Sequence, residues 1–357
     1  IVFTYHTKFD VDIARAVGEG FLMKETIRAM ISNISACDEV WTVSKGAGEN
    51  LRSLGYEGEY RVMNNGVDFA RGKASEEAVK EAVKDYDLPE NVPVFLYVGR
   101  IMNYKGLPLI LDALGILSGE NFDFHMLFVG GGADLDALRN AAEEKGLADK
   151  VFFTGPVHDR EVLRAINTRA DLFLFPSTYD TNGIVVREAA ACGLASVLID
   201  GSCAAEGITD GRNGYLLEET PEAMASLLSR ICKDMDAVRT CGDRAMEEIY
   251  ISWEDSVKCA YERYGEIREM IMDGRLTRRK PHLSDLFIEQ TAEIEEKLAK
   301  VFEASSNIRE GMMENVESVK DNVKKNLHRV EHVGRTIRGS VMQGAETLFG
   351  RDGGEDV

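Results

Sequence analysis

From Pro93 onward the chain alternates short, continuously apolar runs with longer helical segments, and few folds accept that pattern. The runs are Val94–Val98, Phe124–Val129, Val151–Thr154, Leu172–Phe175 and Ala195–Ile199. Helical segments are predicted near Leu107–Leu117, Leu135–Lys145, Glu161–Ile166 and Val185–Ala191. Strands that are apolar on both faces need cover on both faces, which means a parallel sheet between layers of helix. Ligands of such sheets bind beyond the carboxyl ends of the strands. Chemistry is therefore to be sought directly after each run.

The segment before Pro93 is shorter and follows the same logic. Ile1–Tyr5 reads as a buried strand, Asp12–Ile34 as helical, Glu39–Val43 as a second strand and Lys45–Leu54 as a helix. Tyr60–Met63 and the turn Asn64-Asn65-Gly66 follow. About two β–α units are too few for a whole doubly wound sheet. The chain also opens inside an apolar strand without Met, so residues 1–72 are expected to be the remnant of a larger lobe. A polar stretch, residues 73–92, reads as a linker. After Leu276 the basic run Arg278-Arg279-Lys280 marks another boundary, and residues 277–357 read as a helical, amphipathic extension. Its apolar positions, among them Val316, Val319, Val323, Leu327 and Val330, keep to steps of three and four. Lys324, Lys325, Arg329, Arg335 and Arg338 give it a basic end, suited either to peripheral contact with an anionic membrane surface or to packing on protein.

Composition excludes some classes of function. With 42 Lys and Arg against 61 Asp and Glu, the formal charge is −19. That balance argues against a general nucleic-acid binder, which needs a basic field to release counterions. Any anionic ligand must be met by a local cluster of cations and backbone amides. The six cysteines show no C-x-x-C pair and no zinc spacing, so reduced thiols in a cytoplasmic protein are expected. No apolar run reaches the ~20 residues of a membrane span.

Two segments could carry chemistry. The first follows the Val94–Val98 run: Gly99-Arg100-Ile101-Met102-Asn103-Tyr104-Lys105-Gly106. A diphosphate there would meet Arg100 as a planar two-pronged donor, Lys105 as a point charge, and nearby amides. The second follows Leu172–Phe175 and runs from Pro176 through Asp180, Asn182 and Gly183 to Glu188 and Gly193. Asn182-Gly183 precedes an apolar helix, so Gly183 and Ile184 would present amides at its positive end. Read separately, Arg100 and Lys105 could be solvated turn charges, Asp180 a turn residue and Glu188 a surface helix residue.

Together the segments resemble family 4 glycosyltransferases of the GT-B fold, which retain anomeric configuration. Asn65-Gly66-Val67-Asp68, Gly130-Gly131-Gly132, Phe153-Thr154-Gly155-Pro156-Val157 and Asp210-Gly211-Arg212-Asn213-Gly214 fall in the family's order. Ser252-Trp253 with Tyr261 and Tyr264 is similar to the family's closing helix, which crosses back to the first lobe. The resemblance implies two Rossmann-type, doubly wound α/β lobes: an incomplete acceptor lobe over 1–72 and a nucleotide-sugar lobe over 93–252. Residues 253–276 would be the closing helix. It further implies a hexosyltransferase using a UDP-type sugar donor and an acceptor lipid or glycan, with no cofactor and no required metal. In those roles Arg100, Lys105 and the Asn182–Ile184 amides would hold the diphosphate. Glu188 would hold the ribose, Asp180 the transferred sugar, and Val157 would line the base. His6, in Thr4-Tyr5-His6-Thr7, is similar to the active-site histidine on the acceptor side.

The chain departs from the family where Asp180 replaces the usual Glu and Asn182 a frequent Phe. Three D-x-D triplets, Asp10/Asp12, Asp134/Asp136 and Asp234/Asp236, could in principle hold a metal. Two stand where helices begin, and capping or solvation is the expected role. The alternative function is a non-catalytic nucleotide-sugar-binding or scaffold subunit.

Overall fold

In the computed structural model, which describes residues 1–276, the apolar runs become parallel strands. The first lobe comprises β1 (Val2–Tyr5), α1 (Phe9–Val17), α2 (Phe21–Ser35), β2 (Glu39–Thr42), α3 (Lys45–Ser53) and β3 (Arg61–Val62). Its three strands lie in the order β1-β2-β3, all parallel. Tyr5, Ile34, Val40 and Leu51 form a separate core beneath them. The helix expected over Asp12–Ile34 is in fact two helices. Gly18 (φ 76°) and Gly20 (φ 149°) interrupt it in conformations that residues with a Cβ rarely adopt.

The second lobe begins with α4 (Glu76–Ala82), which lies within the stretch expected to be a linker and packs on a later helix. There follow β4 (Val94–Val98), a 3₁₀ turn (Asn103–Lys105), α5 (Leu107–Gly119), β5 (His125–Val129), α6 (Leu135–Glu144) and β6 (Val151–Gly155). Then come α7 (Arg160–Arg169), which receives α4, β7 (Leu172–Phe175), α8 (Ile184–Ala191) and β8 (Ala195–Ile199). The pattern did not announce β9 (Tyr215–Leu217), α9 (Pro221–Ile231) or α10 (Met235–Glu248). The six strands are parallel, in the order β6-β5-β4-β7-β8-β9. Helices on both faces bury all five residues of β4 and of β8, which explains their unbroken apolar character.

A final helix, α11 (Trp253–Met272), returns to the first lobe. Ser252 caps it by accepting from the Asp255 amide at 3.0 Å. Tyr264 packs its ring 4.9 Å from that of Trp41, and Arg263 clamps both oxygens of Glu39 at 2.7 and 2.5 Å. Where the chain passes between the lobes its two crossings touch: Val67 donates to Ile251 O at 3.0 Å, and Trp253 donates to Val67 O at 3.2 Å. Gly66 permits this approach, since a Cβ there would lie 2.3 Å from Ser252 O.

The six cysteines are free thiols. No described helix is long and apolar enough to cross a membrane. The amphipathic extension expected over 277–357, with its basic end, lies outside the described residues.

Candidate active site

The strand order reverses between β4 and β7, so the loops leaving these neighbours diverge and open a crevice at their carboxyl ends. Both candidate segments leave from this point. Beside them is a cleft of about 440 Å³, lined by Val98, Gly99, Arg100, Val129, Gly130, Gly131, Pro156 and Val157. Glycines make it possible for the backbone to fold so tightly here: a Cβ on Gly130 (φ 140°) would lie 1.9 Å from Gly99 O. Arg100 is exposed and has no ion-pair partner among the described residues. Val157, in the loop after β6, is half-buried on the far wall.

Lys105 is not a solvated turn charge. It is 7% exposed, with its ammonium 2.6 Å from Asp180 Oδ1 and 5.5 and 5.6 Å from the ring centres of Tyr104 and Tyr179. Gly106, left-handed at φ 78°, brings the two loops together, because a Cβ there would lie 2.7 Å from Pro176 O. The other oxygen of Asp180, Oδ2, is buried and has no hydrogen-bond partner. A buried carboxylate oxygen left unpaired is costly, and a ligand hydroxyl in the crevice would satisfy it.

Asn182, Gly183 and Ile184 form the turn into α8. Gly183 occupies the N-cap in a left-handed conformation (φ 59°, ψ 52°), and the first amides of α8 have no acceptor within the helix. The Asn182 side chain is buried and turned away from the crevice, donating to Val43 O of the first lobe at 3.0 Å. Its oxygen accepts from Arg187, which also reaches Ile249 O at 2.8 Å. Glu188 is no surface residue: it is 7% exposed, and its Oε1 accepts from Arg160 at 2.7 Å.

The first lobe adds its own contacts to the loop that carries Asp180. The carbonyl of His6, at the end of β1, accepts from Thr181 Oγ1 at 2.6 Å, and the His6 side chain is exposed. Lys8 donates to Thr178 O at 3.0 Å, and Ser44 Oγ donates to Thr181 O. Behind them Glu206, from the loop after β8, takes the Lys45 amide (2.7 Å) and the Gly46 amide at the start of α3. His6, Arg100, Lys105, Val157, Asp180 and Gly183 thus lie in the segments that leave the strand ends, and Glu188 lies within α8, the helix that follows β7. Arg160, Lys8 and Glu206 were missed, because none belongs to a motif and each acts across a long sequence separation. Of the D-x-D residues, Asp234 caps α10 through the Ala237 amide at 3.0 Å. Asp134 begins α6 but instead accepts from the Asn103 amide at 2.8 Å, tying the loop after β5 to that after β4.

The family model described as "Glycosyl transferases group 1" matches residues 78–248. This segment is a group 1 glycosyltransferase domain. Curated relatives agree. The chain is 26% identical over 257 residues to an uncharacterized glycosyltransferase of Methanocaldococcus jannaschii, covering 69% of this chain and 65% of that one. It is 28% identical over 225 residues to a D-inositol 3-phosphate glycosyltransferase of Corynebacterium urealyticum (60% and 52% covered). It is 27% identical over 244 residues to a GDP-mannose-dependent alpha-(1-6)-phosphatidylinositol monomannoside mannosyltransferase of Mycobacterium tuberculosis (66% and 63%). The chain thus spans between about half and two thirds of the length of these relatives. Among solved structures, sucrose-phosphate synthase of Thermosynechococcus elongatus superposes with a TM-score of 0.64 at 24% identity, covering 75% of this chain and 68% of that one. Anabaena HepE in complex with UDP and glucose superposes at 0.62 and 20% identity (74% and 71%). The group 1 domain and the lobe before it therefore share the GT-B fold.

Proposed function

We propose that this chain transfers a hexose from a UDP-type nucleotide sugar to an acceptor hydroxyl with retention of configuration, as a family 4-like enzyme. The observation that carries the reading is that two ion pairs, Lys105–Asp180 and Arg160–Glu188, join the segments following β4 and β6 to the segment following β7, with Asp180 Oδ2 buried and unpaired. In this reading Val157 lines the base and Glu188 binds the ribose. Arg100, Lys105 and the amides of Gly183 and Ile184 face the diphosphate. Asp180 accepts from hydroxyls of the transferred sugar.

Chemistry follows from that placement. As the sugar's anomeric bond to phosphate breaks, negative charge builds on the leaving diphosphate, where the cations and the positive end of α8 stabilise it. The acceptor oxygen enters on the same face, from the side of His6. The leaving phosphate oxygen takes its proton. The acceptor is a lipid or glycan in this reading, and six free thiols suit a cytoplasmic setting.

Calorimetry with UDP, UDP-glucose and GDP-mannose tests the assignment, since one relative's name specifies a GDP-mannose donor. Glu188→Ala should weaken UDP and UDP-glucose alike, about ten- to a hundredfold for a lost charged hydrogen bond. Asp180→Ala should weaken UDP-glucose and leave UDP nearly unchanged. Parent-like binding by both variants would remove the crevice as a donor site. Release of UDP that rises on adding an acceptor separates a transferase from a binding subunit.

A further inference from the structure

Glu188 has a partner that no motif contains. Arg160 begins α7, three residues after Val157, and donates to Glu188 Oε1 at 2.7 Å. Its guanidinium carbon stands 4.5 Å from the ring centre of Phe69. Phe69 is buried, and its carbonyl accepts from Tyr250 OH at 3.1 Å. Arg160 therefore rests on a platform built where the chain passes between the lobes, and it ties the segment that carries the residue assigned to the base to the residue assigned to the ribose.

Resting on the donor-site reading above, we propose that Arg160 is a positioning residue that makes the site selective for ribonucleotides. It occupies Oε1 and sets the rotamer of Glu188, so that the remaining lone pairs of the carboxylate face the vicinal hydroxyls of a ribose. A carboxylate held this way has no orientation to lose on binding, which is where the affinity for the 2′-hydroxyl arises. A planar guanidinium can stack on Phe69 and grip the carboxylate at once, whereas lysine supplies charge without the stack.

Calorimetry on the full chain with UDP and 2′-deoxy-UDP tests this, using the parent, Arg160→Ala, Arg160→Lys and Glu188→Gln, with thermal unfolding run on each. The parent should prefer UDP by about tenfold or more. Arg160→Ala should bind 2′-deoxy-UDP much as the parent does, with its preference for UDP reduced to within about threefold, and Arg160→Lys should recover part of it. An unchanged preference in Arg160→Ala overturns the proposal. So does an equal loss of both nucleotides that lysine does not restore, since that marks a merely structural partner. Glu188→Gln separates the two readings. If it binds UDP as the parent does, the donor-site assignment falls and this proposal with it. If it loses UDP while Arg160→Ala keeps its preference, only the role of Arg160 falls.

Discussion

Lys105 Nζ lies 2.6 Å from Asp180 Oδ1, so the cation assigned to the diphosphate and the acid assigned to the sugar form one ion pair across two loops. The pair leaves Asp180 Oδ2 for a ligand while the lysine holds the carboxylate in place. Charge balance at the crevice is therefore a shared property of two strands' loops, and neither residue can be changed alone without cost.

That dependence predicts coupling. Lys105→Met should destabilise the fold by about 1–3 kcal/mol, at or below the low end for a broken buried pair because Asp180 is partly exposed. Adding Asp180→Asn should cost less than the sum of the two single changes, by about 1 kcal/mol or more. Urea unfolding of the four proteins measures it, and strict additivity would show that the pair does not act as one.

The clamp between Arg263 and Glu39 predicts a pH dependence. Burial pushes the Glu39 carboxyl up, but hydrogen bonds from Arg263 and Trp41 and the arginine charge outweigh it, so Glu39 titrates below its ordinary value of 4.5. A depressed acid contributes stability above that value and loses it as pH falls through the folded-state pKa. Glu39→Gln should therefore destabilise clearly at neutral pH and progressively less toward about pH 3.5. Equal destabilisation at both ends would assign the effect to packing.

Neighbouring glycines in the cleft wall should respond differently. A Cβ at Gly130 would meet Gly99 O at 1.9 Å from a strained φ of 140°, whereas one at Gly131 would meet Pro156 Cδ at an ordinary 3.7 Å. Gly130→Ala should cost roughly 2–4 kcal/mol, and Gly131→Ala under about 1. Thermal melts of the two variants check this, and similar losses would contradict the described backbone.

Thiol chemistry should also be graded. Cys259 is exposed, whereas burial pushes the thiol of Cys192 up to about 12. Burial thus keeps Cys192 in the unreactive thiol form at about pH 8 and also shields it from reagent. Iodoacetamide followed by mass spectrometry should label Cys259 in the native protein, and Cys192 only after unfolding.

Much of this architecture is legible in apolar runs, because a strand buried on both faces has no other way to be written. Val94–Val98 and Ala195–Ile199 are read to the residue for that reason. Tyr215–Leu217 is too short to stand out, although Thr220-Pro221 just after it is a recognisable helix start, with Thr220 accepting from the Ala223 amide at 3.2 Å. The Gly18-Glu19-Gly20 break was hidden by apolar periodicity that continues on both sides. In the site, glycines and charges after strands are visible as spacing. The burial of Lys105 and Glu188 is not, because it depends on partners 75 and 28 residues away. Arg160 illustrates the limit: nothing in His158-Asp159-Arg160 says which carboxylate it will meet.

The contact of Val67 with Ile251 and Trp253 has a consequence for how such a chain can be rebuilt. The entire six-stranded body is threaded between two neighbouring points of the backbone, in the manner of a cassette inserted into a loop of its host. Its entry and exit are hydrogen-bonded to each other, so its ends need not be brought together across the molecule. A body inserted in this way can be exchanged for another with the same end spacing, while the host keeps its strands and its returning helix. The two lobes can then change separately, and the seam at Gly66 is where a chimera should be cut.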